Sequence, residues 1–576
     1  MAMSRGVRFI LFVIVLAVIV SMTGVALTYV VGSRGPSVET NSILWLRVPA
    51  SLGEQQPEDV LSFFEQRDTV GSVVHALRMA KIDDRVSAVV LIPPITDGLW
   101  GKLQDIRDAV IDFKESGKPV VAYLEFGTGQ AYYLASACDE VFMTPTSPLN
   151  LIGVASYDLF LRGALDKIGF EADMLAAGDY KTAVNLYTEK TFTPEHREMS
   201  ESLNRDLYEQ LVDGIAEGRE LEVARVRALI DEGPFVAVEA MRLGLVDALV
   251  YEDQLIDGLP LGDNPTVLHY EDYRHVNASS LGIDRGPRIA LVYAEGVINF
   301  GGNGVDLQGN RIVGSETMTE AVRAARADDG IEAIVLRVDS PGGVAVAADI
   351  MWRELQLAGA DKPLIVSMSD LAASGGYYIA APAHTIVAQP GTLTGSIGAY
   401  GGKYVLGGTF EKLGVKMEEV TNGAHADLFS PVSRFSDSAR QALQAQLDDT
   451  YEHFLQVVAD GRGMTRDEVD RIAQGRVWTG RQAYENGLVD ELGGLRRAIE
   501  VAKVEAGIDQ ESEVTLVPFP QPRSFFEVLR GAFNTRALNG KLGWTGLPFA
   551  RVLRLALGPM RLVQGAPMAL MPMVAQ

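Results

Sequence analysis

The sequence predicts an α/β protein made of two tandem repeats of βαβ units, preceded by one transmembrane helix. Three observations carry this. The body of the chain reads twice at a spacing of 245 positions, apolar runs alternate with helical patterns in each copy, and 23 uncharged residues stand near the N-terminus. The composition suits large cores: of 576 residues, 47% are hydrophobic and 22% charged, which excludes a wholly disordered chain. With 51 basic and 75 acidic residues the net charge is −24. Phosphate backbones repel such a chain, so no nucleic-acid partner is expected. Cys138 is the lone cysteine. It reads as a small core residue, and it leaves no internal disulfide and no basis for a cysteine-ligated metal.

Residues 1–34 read as a membrane anchor. Phe9 to Val31 carries no charge, and at about 1.5 Å per residue it crosses a hydrocarbon layer of roughly 30 Å. Arg5 and Arg8 precede the run and Arg34 follows it; the bias places the N-terminus in the cytoplasm and the body outside. Leu27 to Val31 lacks a small-x-small cleavage site, which favours an uncleaved anchor over a signal peptide.

The first repeat spans 45–262 and the second 288–510, joined by a polar linker, 263–287, with scattered Gly and Pro. Tyr132-Tyr133-Leu134-Ala135 recurs as Tyr377-Tyr378-Ile379-Ala380, Ile152-Gly153 as Ile397-Gly398, and Gly178 as Gly423. After a two-residue contraction, Gly244-Leu245-Val246-Asp247 recurs as Gly487-Leu488-Val489-Asp490. A unit of about 200 residues is too long for a solenoid repeat and indicates two homologous domains. In the second copy, strands are expected at Ile289–Tyr293, Ala333–Val338, Leu364–Met368 and Thr385–Ala388. Helices are expected over Glu316–Ala325, over Val346–Leu357 and from about Ala373. Strands separated by helices imply a parallel sheet with right-handed crossovers, and Gly-rich strand ends mark where a ligand sits.

Two such turns stand in the second copy: Asp339-Ser340-Pro341-Gly342-Gly343 and Ala372-Ala373-Ser374-Gly375-Gly376-Tyr377. Ser374 can serve as a nucleophile, with the N–H groups of Gly343 and Gly375 meeting the oxyanion. Ser-Gly-Gly alone also describes a helix N-cap. A nucleophilic serine needs a base. Of the seven histidines, His384 lies at a strand edge and His196 in an acidic, solvated helix, and none forms a metal-binding pair. Lysine is the other partner known for serine, provided that burial removes its proton. Lys181, in Gly178-Asp179-Tyr180-Lys181-Thr182-Ala183, is the candidate. Ser374 aligns with Gly129 of the first copy and Lys181 with Ala426 of the second. Each copy thus keeps one partner and has a small residue where the other would be, as expected for a duplicated enzyme with one composite site. Asp179 is expected to face solvent, so that desolvation of Lys181 prevails.

These motifs, together with Leu393-Thr394-Gly395-Ser396-Ile397-Gly398, resemble the signal peptide peptidase A (protease IV) family in its long duplicated form, over roughly residues 45–510 plus the anchor. The resemblance implies a crotonase/Clp-protease-like fold and a serine endopeptidase with a Ser/Lys dyad that needs no cofactor. In it Ser374 is the nucleophile, Lys181 the general base and Ser396 the residue that orients the lysine. It further implies a homo-oligomer, a tetramer, on the outer face of the bacterial plasma membrane, with cleaved signal peptides and other apolar peptides as substrates.

The tail, residues 511–576, is matched less clearly. From 520 onward it holds seven basic residues and one acid. Its segment Phe549–Leu557 suits either an anionic lipid surface or a docked helix. Two other functions stay open. A crotonase-type acyl-transfer or thioester enzyme would use only the oxyanion hole and would not need Ser374 or Lys181. A non-catalytic membrane scaffold would be expected to have lost one of the two.

Overall fold

A computed structural model describes residues 37–56, 67–95, 98–256, 265–306, 309–521 and the short strand Met568–Leu570. The expected anchor and the segment Phe549–Leu557 lie outside the described residues. Among the described residues, no helix is long and apolar enough to cross a membrane.

Two parallel sheets share one strand order. The first runs Thr266–His269, Ser42–Arg47, Val86–Ile92, Val120–Leu124, Glu140–Met143, Ala248–Leu249, parallel throughout. In the second, Thr515–Phe519, Arg288–Glu295, Ile331–Ser340, Leu364–Ala373, Thr385–Ala388 and Glu491–Leu492 follow each other in the same order and direction. Leu393–Gly395 and Val477–Thr479 extend this sheet beyond Leu364–Ala373. Central strands such as Val120–Leu124 are buried at every position, which is why they read as unbroken apolar runs rather than alternations. The segment 263–287, expected as a linker, supplies Thr266–His269 as an edge strand of the first sheet.

Helices cover the sheets through apolar stripes. Ala345–Asp361 buries Ala347, Ala348, Met351, Leu355 and Ala358, the three-and-four spacing of a helix with one inward face. The long helix Pro194–Gly218 starts with Pro at its first turn and Thr193 accepting the His196 N–H, a cap that typically stabilises by about 1 kcal/mol. The motifs shared by the repeats are structural ties. Tyr132 Oη donates to the Leu245 carbonyl at 2.6 Å, and Tyr377 Oη to the Leu488 carbonyl at 2.7 Å. Asp247 and Asp490 each accept a strand N–H, from Val141 and Ile386, both at 2.7 Å.

A third sheet joins the repeats. Its order is Gly304–Val305, Arg311–Gly314, Val297–Asn299, Gly342–Val344, Met568–Leu570, Ala399–Val405, Glu171–Ala177. The last two strands come from different repeats and pair antiparallel from Glu171↔Val405 to Ala177↔Ala399. This pairing delivers the end of the first-repeat strand to the heart of the second repeat.

Candidate active site

Ser374 sits where the strand Leu364–Ala373 turns into the helix Gly375–Ala380. Its backbone has φ 55° and ψ −116°, and its side chain makes no capping bond. A non-glycine residue in this region stores strain of about 1–3 kcal/mol. The turn is held by the Ser374 N–H donating to the Gly395 carbonyl at 2.7 Å. The hydroxyl, released from capping, meets Lys181.

Lys181 lies just beyond the cross-repeat strand Glu171–Ala177. Its loop is pressed onto the second repeat by two glycines. A Cβ on Gly178 (φ 101°) would lie 2.4 Å from the Gln474 backbone, and one on Gly475 (φ 81°) would lie 2.5 Å from the Lys181 nitrogen. Tyr180 N–H donates to the Gln474 carbonyl at 2.7 Å, and Gly475 N–H to the Ile397 carbonyl at 2.7 Å. The loop is therefore held in place by a segment, Gln474-Gly475, that sequence reasoning did not single out. The signal was faint: a Gly within an otherwise ordinary polar turn.

The side chain of Lys181 ends 2.7 Å from Ser374 Oγ, 2.7 Å from the Ser396 carbonyl and 2.9 Å from Ser396 Oγ. Lys181 is 2% exposed and Ser374 0%. An ammonium would donate to all three oxygens, whereas a neutral amine would take the Ser374 hydroxyl hydrogen on its lone pair and give both N–H groups to Ser396. Burial alone holds the Lys181 ammonium well below the usual lysine range. Asp179 is exposed, as expected, and does not contribute to that shift. Ser396 itself has φ 51°, and its N–H donates to the Arg476 carbonyl at 2.7 Å.

Gly375 opens the helix after Ser374, and Gly343 lies in the strand Gly342–Val344. A Cβ on Gly343 would come within 2.0 Å of the Ile298 carbonyl, and one on Gly376 within 2.7 Å of the Ser340 carbonyl. The two glycine turns thus lie against each other. The strand Met568–Leu570 pairs antiparallel along Gly342–Val344. The strand bearing Gly343 therefore accepts an extended segment at its side.

The histidines are elsewhere. His196 is buried, not solvated as its acidic helix suggested. Its Nε2 lies 3.2 Å from Asp158 Oδ1, and its ring stacks edge-on against Phe160 and Phe192. His196, Met199, Leu203 and Leu207 form the buried stripe of Pro194–Gly218, and the acidic residues occupy its other faces. His384 Nδ1 accepts the Leu364 N–H at 3.0 Å. Among the described residues, no cluster of His, Cys, Asp or Glu is arranged to hold a metal. Cys138 is buried, which pushes its thiol up to about 12.

The model of peptidase family S49 matches residues 112–262 and 356–509. The chain belongs to peptidase family S49. The first matched stretch of this S49 chain contains Lys181, and the second contains Ser374, Gly375, Ser396 and Gly475. "Serine protease SPPA, chloroplastic" of Arabidopsis thaliana is 36% identical over 78% of the chain and 68% of its own length. "Protease 4" of Salmonella typhi is 34% identical, over 76% and 73%. Among solved structures, a Listeria monocytogenes ClpP1 mutant aligns at a TM-score of 0.24 and 13% identity, covering 36% of this chain and 94% of that one; a likeness that low carries no argument.

Proposed function

We propose that the chain is a serine endopeptidase with a Ser374/Lys181 dyad shared between two tandem protease-like repeats, 45–262 and 288–510. The single observation that carries this is the 2.7 Å contact between Lys181 Nζ and Ser374 Oγ in a buried setting where the lysine shift has no cause but desolvation. The neutral amine takes the Ser374 hydroxyl proton as Oγ bonds to the peptide carbonyl carbon. The N–H groups of Gly343 and Gly375 receive the oxyanion, and Ser396 keeps the amine pointed at Oγ. The lysine ammonium then protonates the departing amine, leaving an acyl-enzyme. A water gives its proton to the same lysine, adds to the ester, and releases the acid with return of the proton to Ser374. No cofactor enters this sequence.

The substrates proposed are apolar peptides, cleaved signal peptides among them. The enzyme is placed at the bacterial plasma membrane, held by residues 1–34 with its body outside, as a homo-oligomer. The bacterial source of the Protease 4 relatives supports the bacterial setting, and the uncharged run Phe9–Val31 supports the membrane attachment. The test is labelling with a fluorophosphonate probe. Wild type should be labelled, and Ser374→Ala and Lys181→Ala should not. Peptide hydrolysis that persists in Ser374→Ala would hand the site to oxyanion-only chemistry.

A further inference from the structure

Both glycine turns of the candidate site grow from one irregularity in the second sheet. Ile331–Ser340 and Leu364–Ala373 pair regularly up to Val338↔Met368 and resume at Ser340↔Ala372. Between them, Asp339 alone faces Ser369, Asp370 and Leu371. Such a bulge breaks the ladder and re-aims the chain beyond it. One strand carries on from the bulge to Gly343, the other to Ser374.

A residue of the other repeat fills the break. Lys102, in the first turn of the helix Gly101–Lys114, donates from Nζ to Asp339 Oδ2 at 2.6 Å and lies 3.2 Å from Asp370 Oδ2. Its backbone N–H donates to Asp370 Oδ1 at 2.9 Å. Asp339 uses its other oxygen to accept the Leu371 N–H at 3.1 Å, replacing a missing ladder bond. The approach is close: a Cβ on Gly101 would stand 2.6 Å from the Ser369 carbonyl. Lys102 is thus the cation between two carboxylates that both touch its nitrogen.

The clamp belongs to the contact between the repeats and is not duplicated as a whole. At the 245-residue spacing, Lys102 corresponds to Ala347 and Asp339 to Pro94. Lys102 and Asp339 thus have no charged counterpart, as Lys181 and Ser374 have none of their own kind, whereas Asp370 corresponds to the acidic Glu125.

We infer that Lys102 is a positioning residue for the reaction: from the first repeat it clamps Asp339 and Asp370, and so sets the spacing of Ser374 and the Gly343 strand. This rests on the dyad reading above. Without the ammonium, two facing carboxylates repel, the bulge opens, and the nucleophile drifts from its base and oxyanion donors.

The experiment measures kcat and KM on a fluorogenic apolar peptide, the fluorophosphonate labelling rate and the melting temperature, all on the full chain. Lys102→Met should lower kcat by about 10- to 100-fold with KM within about twofold, because misplacement taxes the transition state rather than binding. The labelling rate should fall by the same factor. Lys102→Arg should recover most of the loss. Lys102→Met with Asp370→Asn, which removes the repulsion, should be faster than Lys102→Met alone. An unchanged kcat, a change confined to KM, or a double variant no faster than the single would overturn the inference. If Lys102→Met does not fold, Asp339→Asn carries the test: a lower kcat at constant KM supports the clamp, and a wild-type kcat refutes it. Ser374→Ala is run alongside. Activity surviving there defeats the dyad reading, whereas an inactive Ser374→Ala beside a fully active Lys102→Met defeats the clamp alone.

Discussion

The same strand-to-helix turn occurs twice in this molecule with opposite chemistry. In the first repeat, Thr128 has φ −91° and ψ 165°, and its hydroxyl caps the helix Gly129–Ala135 by accepting the Ala131 N–H at 3.1 Å. In the second, Ser374 has φ 55° and caps nothing. The strand leading in also differs: it is broken into Val120–Leu124 and Gly127–Thr128 in one copy, and runs unbroken over Leu364–Ala373 in the other. The lysine loops differ in the reverse sense. The loop at Lys181 is buried against Gly475, whereas the segment around Ala426 is exposed. Strain persists only where the surroundings over-determine it. Under the dyad proposed above, each copy has ordinary capped or solvated geometry at the half it does not use.

The comparison breaks most directly at the dyad. Ser374→Ala and Lys181→Ala should each cut kcat/KM by about 10³-fold or more, and the double variant should be no worse than either, since residues acting as one unit do not add. Peptide hydrolysis measures this, and an additive double loss would separate the two residues. Next comes Gly475→Ala, whose methyl would push on the backbone of Lys181. Its activity should drop by about 10²-fold, and overpacking should cost about 1–3 kcal/mol in a denaturant titration.

The third effect is on pH. Burial depresses Lys181 in the fold, so between that lowered value and the ordinary lysine value, about 10.4, the unfolded chain binds the extra proton. Stability should therefore rise with pH across this window, by up to about 1.4 kcal/mol per pH unit from this group. Lys181→Met should be more stable than wild type at neutral pH and should lose that slope. Equal slopes in chemical unfolding at several pH values would show an unshifted lysine. In wild type, kcat/KM should climb through the lowered value and then level off. The smallest effect sharpens the contrast from the relaxed side. Gly129→Ser combined with Ala426→Lys should leave activity within about twofold and create no second probe-reactive serine. Gly129 has room for a side chain, with no atom nearer than 4.0 Å to its Cβ position, yet the turn before it is a plain cap. A second labelled serine, mapped by mass spectrometry, would mean that strain is not what separates the copies.

Much of this was legible in the chain. The doubled motifs give the doubled sheets, and the reciprocal loss across the repeat singles out Ser374 and Lys181, which the structure holds in contact. The parts that escaped are those made by distant segments. Thr266–His269 is a four-residue edge strand inside a polar stretch, too short and too exposed to show a period. Met568–Leu570 takes its strand form from its partner Gly342–Val344. The break at Asp339 and its filling by Lys102 depend on contacts 237 residues apart, which no local pattern encodes. His196 is legible from its spacing to Met199, Leu203 and Leu207, which marks a buried stripe, while the acidic residues around it belong to the other faces of the helix.

The composite site also has a timetable. Lys181 and Ser374 are 193 residues apart, and at about 5–20 residues per second of synthesis the second emerges after the first by about 10–40 s. During that interval the growing chain carries the proposed base without the proposed nucleophile. Even then the dyad waits for Ala399–Val405 to pair with Glu171–Ala177 and for Gly475 to seat the lysine loop. Under the dyad proposed above, a nascent chain would be inert toward its neighbours and toward itself until nearly all of it had been made, and the order of synthesis would do the work of an inhibitory segment.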